Sequence, residues 1–181
     1  MEPQARHIHE EIIARCLKGD RDAHFELYQL YSRSMYNVGY RIVNDEDEAK
    51  DVLQESFISA FRNLSRYRGD ASFGSWLKRI VVNKAINTIK RRKAERLEDE
   101  ERIEIEEQED VFEDYDFQLE QVMKAISRLP DGYRTVLSLY LLEGYDHAEI
   151  AQVLGISEST SKSQFNRSKK KLKEILEGGI L

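Results

Sequence analysis

Residues 62–93 have a composition that is suited to binding phosphate groups. They hold ten cations against the single acid Asp70, although the whole chain of 181 residues carries a net charge of −6. Aromatic residues lie in and beside the same segment, at Phe61, Tyr67, Phe73 and Trp76. Cations hold phosphates, and ring faces stack on bases that have left a duplex. Any one of these residues taken alone fits an ordinary solvated or core position, but the charge segregation of the segment favours a nucleic-acid partner.

Carboxylates precede this basic segment at a four-residue spacing. Asp47, Asp51 and Glu55 line one face of a helix formed there, which is the wet face because the opposite side is apolar. A metal-dependent nuclease is one hypothesis for such a row. Two-metal chemistry, however, needs carboxylates that converge from separate elements around ions about 3.5–4 Å apart. One helical row does not give that arrangement, so the pattern disfavours an enzyme.

Composition indicates one medium or two small domains, built mostly of helix. Leu, Ile, Glu and Lys are abundant, whereas the chain has only two prolines and nine glycines. The one cysteine, Cys16, excludes a disulfide framework and a thiolate zinc site. The histidines are dispersed, and we expect neither a metal nor another cofactor. No apolar run is long enough for a membrane span or a signal peptide, which favours a cytoplasmic protein.

Apolar periodicity predicts four helices in the first half of the chain. We expect Gly19 to end the first, Asp20 to cap the second, Asn44 or Asp45 to cap the third and Ser72 to cap the fourth. Residues 65–71 break the periodicity and predict a loop. The second helix carries its apolar residues at Phe25, Leu27, Leu30, Tyr31, Met35 and Val38. Four amphipathic helices predict one compact bundle that ends near residue 93.

An acidic segment follows the bundle. Residues 94–120 hold fourteen Asp and Glu against two Arg, without a sustained apolar stripe. Like charges at this density repel, which predicts a flexible linker. We therefore expect an all-α chain of two helical domains, at residues 1–93 and 117–181, joined by an acidic linker at residues 94–116.

The second domain has the pattern of a helix-turn-helix. Pro130 separates two amphipathic helices, and Asp146 with Glu149 has capping-box spacing for a short third one. Gly155 then makes a turn and Ser157 caps a last helix that runs to about residue 176. Residues 162–173 include six cations and no acid, which is typical of a helix lying against phosphates.

Several of these motifs, in this order, resemble those of the extracytoplasmic-function sigma factors, a group of the sigma-70 family. The run from Asp47 to Phe57 resembles the polymerase-binding helix of that family, and the run from Tyr67 to Leu77 resembles its promoter-melting loop and the helix that follows. Leu129-Pro130, Arg134 and residues 149–157 resemble its reader of the upstream promoter element. The resemblance covers nearly the whole chain outside the linker.

The resemblance implies a role for each surface. Core RNA polymerase would be bound by Asp47, Asp51, Gln54 and Glu55. The minus-10 promoter element would be bound and melted by Tyr67, Arg68, Phe73, Trp76, Lys78, Arg79, Asn83, Lys84, Asn87, Lys90 and Arg91. The minus-35 element would be bound by Arg134, Ser159, Thr160, Lys162, Ser163, Asn166, Arg167 and Lys170. It also implies an anti-sigma factor as a further partner.

The last helix departs from the family at two positions. Ser161 stands where an apolar residue is usual, and Gln164 stands where a cation is common. We expect the small residues Ser161 and Ser168 to pack beside the larger Phe165. These departures concern the base preference of the helix and leave its class unchanged.

Two further hypotheses stay open beside the sigma factor. A two-domain transcriptional regulator would also carry a helix-turn-helix, but it would not need the basic aromatic segment at residues 62–93. A sensor of the receiver type would show alternating strands and helices, which the sequence lacks. A purely structural helical adaptor leaves the paired basic clusters unexplained.

Overall fold

The computed structural model of the protein describes residues 9–98 and 117–178, and all regular structure within them is helical. The long helices of the first half are α1 (Glu10–Leu17), α2 (Arg21–Val43), α3 (Glu46–Arg62) and α4 (Phe73–Glu98), with a 3-10 turn at Leu64–Arg66. The second half has α5 (Phe117–Ser127), α6 (Asp131–Leu141), α7 (His147–Leu154) and α8 (Glu158–Gly178). The predicted all-α class is confirmed.

Contacts between Cα atoms divide the chain into two compact units, Met1–Thr88 and Ile89–Leu181. Helix α4 continues to Glu98, past the end predicted near residue 93. The predicted acidic linker falls largely on residues 99–116, which lie outside the described residues. The domain limits expected from the sequence stay a prediction. No described helix is both long and apolar enough to cross a membrane.

Local capping sets the bounds of the helices in the first unit. Gly19 has a φ of +83°, and the Asp20 side chain accepts hydrogen bonds from the backbone of Asp22 and Ala23, as predicted. Of the two candidates for the next cap, Asn44 ends α2 in the left-handed conformation at a φ of 56°, whereas Asp45 caps α3. The Asp45 carboxylate accepts from the Asp47 and Glu48 amides at 3.0 and 2.9 Å. Each cap satisfies amide groups that the helix itself leaves without partners.

The core of the first unit is formed by one stripe from each helix. Its fully buried side chains include Leu27, Ile42, Leu77, Val81 and Val82. Burying an aliphatic side chain of this size stabilises the fold by about 1.5–3 kcal/mol. The stripe predicted on α2 is corrected at two positions, because Phe25 and Leu30 are 61% and 51% exposed. They lie off the buried side of the helix, and the true stripe passes through Ala23, Leu27, Met35, Val38 and Ile42.

The second unit is organised by predicted turns and by a core that includes α8. Pro130 precedes α6, and Asp146 with Glu149 forms the predicted capping box of α7. Gly155 ends α7 with a φ of 71°, and the Ser157 hydroxyl accepts from the Thr160 amide at the start of α8. The buried cluster at its centre comprises Ile126, Leu129 and Leu137, packed against Val122, Met123, Tyr133, Phe165, Leu172 and Ile175. Helix α8 is thereby held by its apolar side.

We expect Asp45→Ala to lower the free energy of unfolding of the first unit by about 0.5–2 kcal/mol, since two amides lose their acceptor. Asp45→Asn should retain most of the stability because an amide oxygen can replace the carboxylate as a cap. Urea unfolding followed by the fluorescence of Trp76, which is the one tryptophan of the chain, measures the change. Asp70→Ala is the control, since Asp70 is an exposed loop residue. Equal effects of Asp45→Ala and Asp70→Ala would contradict the capping role.

Candidate functional site

The acidic row, defined as Asp47, Asp51, Gln54 and Glu55, lies on the exposed side of α3. The opposite side of the helix is fixed by buried residues, including Val52, Leu53 and Phe57. The Lys50 ammonium lies 3.1 Å from the Asp47 carboxylate and 4.0 Å from that of Glu46. The hydrogen bond to Asp47 raises the pKa of Lys50 above its usual value. The row is therefore a solvated carboxylate surface on one element, and its members do not converge from separate elements.

Ile58 is a member of this face that the sequence analysis missed. It lies one turn beyond Gln54 and Glu55 and is 51% exposed. An isoleucine off the buried stripe was the signal that could have found it, because the stripe places its neighbours Val52, Leu53 and Phe57 inside. The acidic row thus ends on an exposed apolar side chain, an arrangement that suits a protein partner better than a nucleic acid.

The predicted loop between the 3-10 turn and α4 is closed by its own hydrogen bonds. The Tyr67 hydroxyl donates to the Ala71 carbonyl at 2.7 Å, and Gly69 takes a φ of +74° at the tip. The Ser72 hydroxyl accepts from the Ser75 amide at 3.2 Å and so begins α4. Arg68 is exposed. The loop is a short turn that presents one arginine and one phenol ring.

An aromatic cluster, defined as Tyr31, Tyr67, Phe73 and Trp76, lies behind the loop. Ring centroids are 5.3 Å apart for Tyr31 and Phe73, 5.7 Å for Tyr67 and Phe73, 5.5 Å for Tyr67 and Trp76, and 5.6 Å for Phe73 and Trp76. Tyr67 and Trp76 are half-buried. Burial raises the pKa of the Tyr31 phenol above its usual value. The cluster has one buried ring, that of Phe73, and three half-buried rings, those of Tyr31, Tyr67 and Trp76.

The predicted DNA contact of Phe73 stays a prediction, which the burial of its ring disfavours. Phe73 is only 3% exposed, so in this structure it supports Tyr67 and Trp76 and has no free ring face of its own. Tyr31 was missed as a member of the cluster. It comes from α2, and no local pattern in the sequence relates it to residues 67–76.

The basic face of α4 carries the predicted cations and amides. Arg79, Asn83 and Asn87 are exposed and follow each other at four-residue intervals, while Lys78 is half-buried. Further along the helix, Lys90 and Arg91 are exposed, and Arg91 lies 3.9 Å from Glu95. Phe73, Leu77, Val81 and Ile86 are buried on the opposite side. The two asparagine amides therefore stand one turn apart in a row with cations, where they can donate to and accept from base edges.

One ion pair joins the acidic row to this basic face. The Lys84 ammonium lies 3.3 Å from the Glu55 carboxylate, and their side chains are 36% and 61% exposed. Ile58, Arg62 and Asn63 line a shallow groove around the pair. Lys84 thus has a carboxylate partner already, whereas a phosphate contact would require it to exchange that partner.

The exposed side of α8 holds the predicted reading residues together. Ser159, Thr160, Lys162, Ser163, Asn166, Arg167 and Lys170 are all exposed. Ser161 and Ser168 are fully buried and flank the half-buried Phe165, as expected. Ser161 Oγ lies 2.9 Å from the Nδ1 atom of His147, and Ser168 Oγ donates to the carbonyl of Phe165. The departure at Ser161 is thereby explained, because its hydroxyl pairs with α7 across the helix-turn-helix.

The cations of α8 differ in their surroundings. Lys162, Lys171 and Lys173 lie 2.6, 3.3 and 3.5 Å from Glu158, Glu174 and Glu177, respectively. Lys169 lies 4.7 Å from the centre of the Phe165 ring. Arg167 and Lys170 make no ion pair within the described residues, which leaves them the most available to an external anion.

The predicted DNA contact of Arg134 likewise stays a prediction, which the burial of its side chain disfavours. Its side chain is 4% exposed and donates to the Leu129 carbonyl at 2.9 Å and to the Asp131 carboxylate at 2.6 Å. A guanidinium buried in this way joins α6 to the segment that connects it with α5. Arg134 is a structural residue of the second unit in this conformation.

The chain matches two family descriptions in sequence order. Residues 27–95 match "Sigma-70 region 2", which includes the acidic row, the loop and the basic face of α4. Residues 119–172 match "Sigma-70, region 4", which includes the helix-turn-helix.

Two proteins of similar sequence are named as sigma factors. The ECF RNA polymerase sigma factor SigM of Mycobacterium tuberculosis is 32% identical over 171 residues, which cover 92% of this chain and 83% of that protein. The ECF RNA polymerase sigma factor SigW of Bacillus subtilis is 30% identical over 176 residues, which cover 91% and 94%.

Solved structures agree in fold. CnrH in complex with the cytosolic domain of CnrY has a TM-score of 0.56 and 25% identity, covering 96% of this chain and 97% of that one. The sigma factor RpoE in complex with the anti-sigma factor NepR from Bartonella quintana has a TM-score of 0.58 and 19% identity, covering 84% and 95%.

We expect a double-mutant cycle of Glu55→Gln and Lys84→Gln to give a coupling free energy of about 0.2–1 kcal/mol, as for other exposed pairs. The coupling should vanish near 1 M salt, where the Debye length is about 3 Å. Urea unfolding at low and high salt measures it through Trp76 fluorescence. A cycle of Glu55→Gln with Lys50→Gln is the control, because Lys50 pairs with Asp47. Equal coupling in the two cycles would show that the Glu55–Lys84 contact is not specific.

Proposed function

The chain belongs to the extracytoplasmic-function sigma factors of the sigma-70 family. We propose that three of its exposed surfaces have separate roles in transcription initiation: the acidic row, the loop together with α4, and α8. The chain is a sigma factor that directs RNA polymerase to promoters. One observation supports this assignment best. The half-buried Trp76 and the exposed Arg79, Asn83 and Asn87 follow each other at three- and four-residue intervals on α4, while Leu77 and Val81 are buried. The proposed roles involve binding alone, without catalysis by the chain.

The acidic row is the proposed contact with core RNA polymerase. Its carboxylates would meet a basic surface on the polymerase clamp helices, and Ile58 would add apolar contact at the edge. Exposed ion pairs contribute only about 0.2–1 kcal/mol each, so the row acts through several weak contacts. An interface of this kind depends on salt and gains speed of association as well as affinity.

The loop and α4 are the proposed site for the minus-10 element. Unstacking a base costs a few kcal/mol, and stacking on a ring returns about 1–3 kcal/mol per base. Tyr67 and Trp76 offer partly exposed rings for a base that has left the duplex, while Asn83 and Asn87 face neighbouring base edges. Arg68, Lys78, Arg79, Lys84, Lys90 and Arg91 would hold the separated backbone. Capture of a transiently open base then melts the promoter without a chemical step.

Helix α8 is the proposed reader of the minus-35 element. Its first turns present Ser159, Thr160, Lys162, Ser163 and Asn166, in the position that a recognition helix uses for base edges. Arg167 and Lys170 would contact phosphates. We propose that residues 117–181 form this duplex-reading domain, that residues 1–93 form the polymerase and minus-10 domain, and that residues 94–116 link them.

We also propose a location and a regulator. A factor that acts on promoter DNA together with polymerase works in the bacterial cytoplasm. NepR is named as the anti-sigma factor of RpoE in the solved complex, and we propose a partner of the same kind for this chain.

We expect Asp51→Lys/Glu55→Lys to weaken binding to core polymerase about 2- to 30-fold at low salt, because two attractive contacts are lost. Run-off transcription with purified core polymerase and a fluorescence binding titration measure the effect. Glu11→Lys/Asp22→Lys is the matched control, since it makes the same charge change at exposed positions on α1 and α2. Failure of the unmodified chain to support run-off transcription would overturn the proposal, and equal loss in both variants would remove the acidic row from it.

We expect Arg167→Ala/Lys170→Ala to weaken binding to every duplex and to flatten its salt dependence by roughly 0.9 per lost phosphate contact. Lys171→Ala/Lys173→Ala is the control, because both lysines have glutamate partners. Asn166→Ala should instead change sequence preference at a nearly constant salt slope. Duplex titrations at several salt concentrations, with cognate and scrambled minus-35 sequences, separate the two effects. A larger slope change in the control would mean that α8 meets DNA with another face.

A further inference from the structure

Tyr31 belongs to α2, but its ring packs against Phe73 at the start of α4, directly after the loop. It meets Phe73 edge-on, with centroids 5.3 Å apart and ring planes at 64°. Phe73 in turn meets Tyr67 at 89° and Trp76 at 44°. Within the aromatic cluster, Phe73 alone is buried, and its ring contacts the half-buried rings of Tyr31, Tyr67 and Trp76.

Gly74 supplies the space that this arrangement needs. A Cβ atom added at Gly74 would lie 2.9 Å from Cε1 of Tyr31, closer than Cβ atoms approach other side chains. The backbone conformation at this position does not require glycine, because Gly74 lies in the first turn of α4 and has no positive φ. Glycine is unfavourable inside a helix, so a role in packing is the physical account of its presence there.

Tyr31 contributes its aromatic ring, and not its hydroxyl group, to the packing of the cluster. The residue has no hydrogen bond within the described part of the chain, and its aromatic neighbours are Phe73 and His9. Side chains held in one rotamer by packing lose less entropy when they bind a ligand. A fixed Phe73 would therefore keep Tyr67 and Trp76 in the orientation that receives a base.

We propose that Tyr31 is a positioning residue for promoter opening: its ring, admitted by Gly74, fixes Phe73 and thereby orients Tyr67 and Trp76 for base capture. The inference rests on the proposed function of the loop at the minus-10 element. It adds a residue from α2 that need not touch DNA. The ligand that Tyr67 and Trp76 receive in this proposal is a single unstacked base of the promoter.

The test compares Tyr31→Leu and Gly74→Ala with two controls. Tyr31→Phe keeps the ring, and Gly132→Ala adds a methyl group to a helical glycine that has no neighbouring atom within 4 Å of the added carbon. Trp76 fluorescence and its quenching by acrylamide report the cluster directly, without DNA or polymerase. Permanganate reactivity of promoter thymines reports opening on duplex templates and on templates mismatched at the minus-10 element.

We expect Tyr31→Leu and Gly74→Ala to increase quenching of Trp76 and to reduce opening of duplex promoters by about 5- to 150-fold, the range that the loss of one base–ring contact gives. Closed-complex binding should be nearly unchanged, and the mismatched template should recover much of the loss. Both control variants should behave as the unmodified chain.

A parallel variant, Tyr67→Ala, separates the inference from the function on which it rests. Reduced opening by Tyr67→Ala with normal opening by Tyr31→Leu would overturn the positioning role and leave the loop function standing. Normal opening by both would overturn both. Equal losses by Tyr31→Leu on duplex and mismatched templates, together with weaker closed complexes, would show that Tyr31 is a general core residue and would also overturn the inference.

Discussion

On α3, α4 and α8 the buried stripe fixes how each helix is rotated about its own axis, and the exposed side follows from that rotation. Val52, Leu53 and Phe57 turn the acidic row outward, while Leu77 and Val81 do the same for the amides and cations of α4. Phe165 and Leu172 hold α8 to its own unit in the same way. A change in a buried side chain therefore alters the direction of a surface residue that it never touches. The charged surfaces are consequences of apolar packing.

Features set by neighbouring residues could be predicted from the sequence. The caps at Asp20, Asp45, Ser72 and Asp146 and the turns at Gly19 and Gly155 depend on a few adjacent dihedral angles and hydrogen bonds. The helices between them follow a 3.6-residue period that is visible in the chain. The exposed positions of α3 and α8 follow from the same period.

Features set by distant residues could not be predicted in this way. Tyr31 and Gly74 meet across two helices, Ser161 pairs with His147 across the turn, and Arg134 is buried where a surface cation was expected. Each depends on tertiary packing, which periodicity does not encode. Phe25 and Leu30 are apolar residues that were expected inside but are exposed, because the buried stripe of α2 is narrower than the apolar content of the helix suggests. Contacts between elements were thus less predictable than the helices themselves.

Three of the side chains on the exposed first turns of α8 are short, although Lys162 is long. The heavy atoms of Ser159, Thr160 and Ser163 extend only two bonds past the Cα atom, while Ser161 is buried. A helix that reads bases with such residues must either lie deep in the groove or leave a layer of ordered water between hydroxyl and base edge. Bridging water transmits hydrogen-bond information at a modest entropic cost. Under the proposed role of α8, hydration would become part of sequence recognition, and the solvent in the groove would help to define the promoter together with the bases.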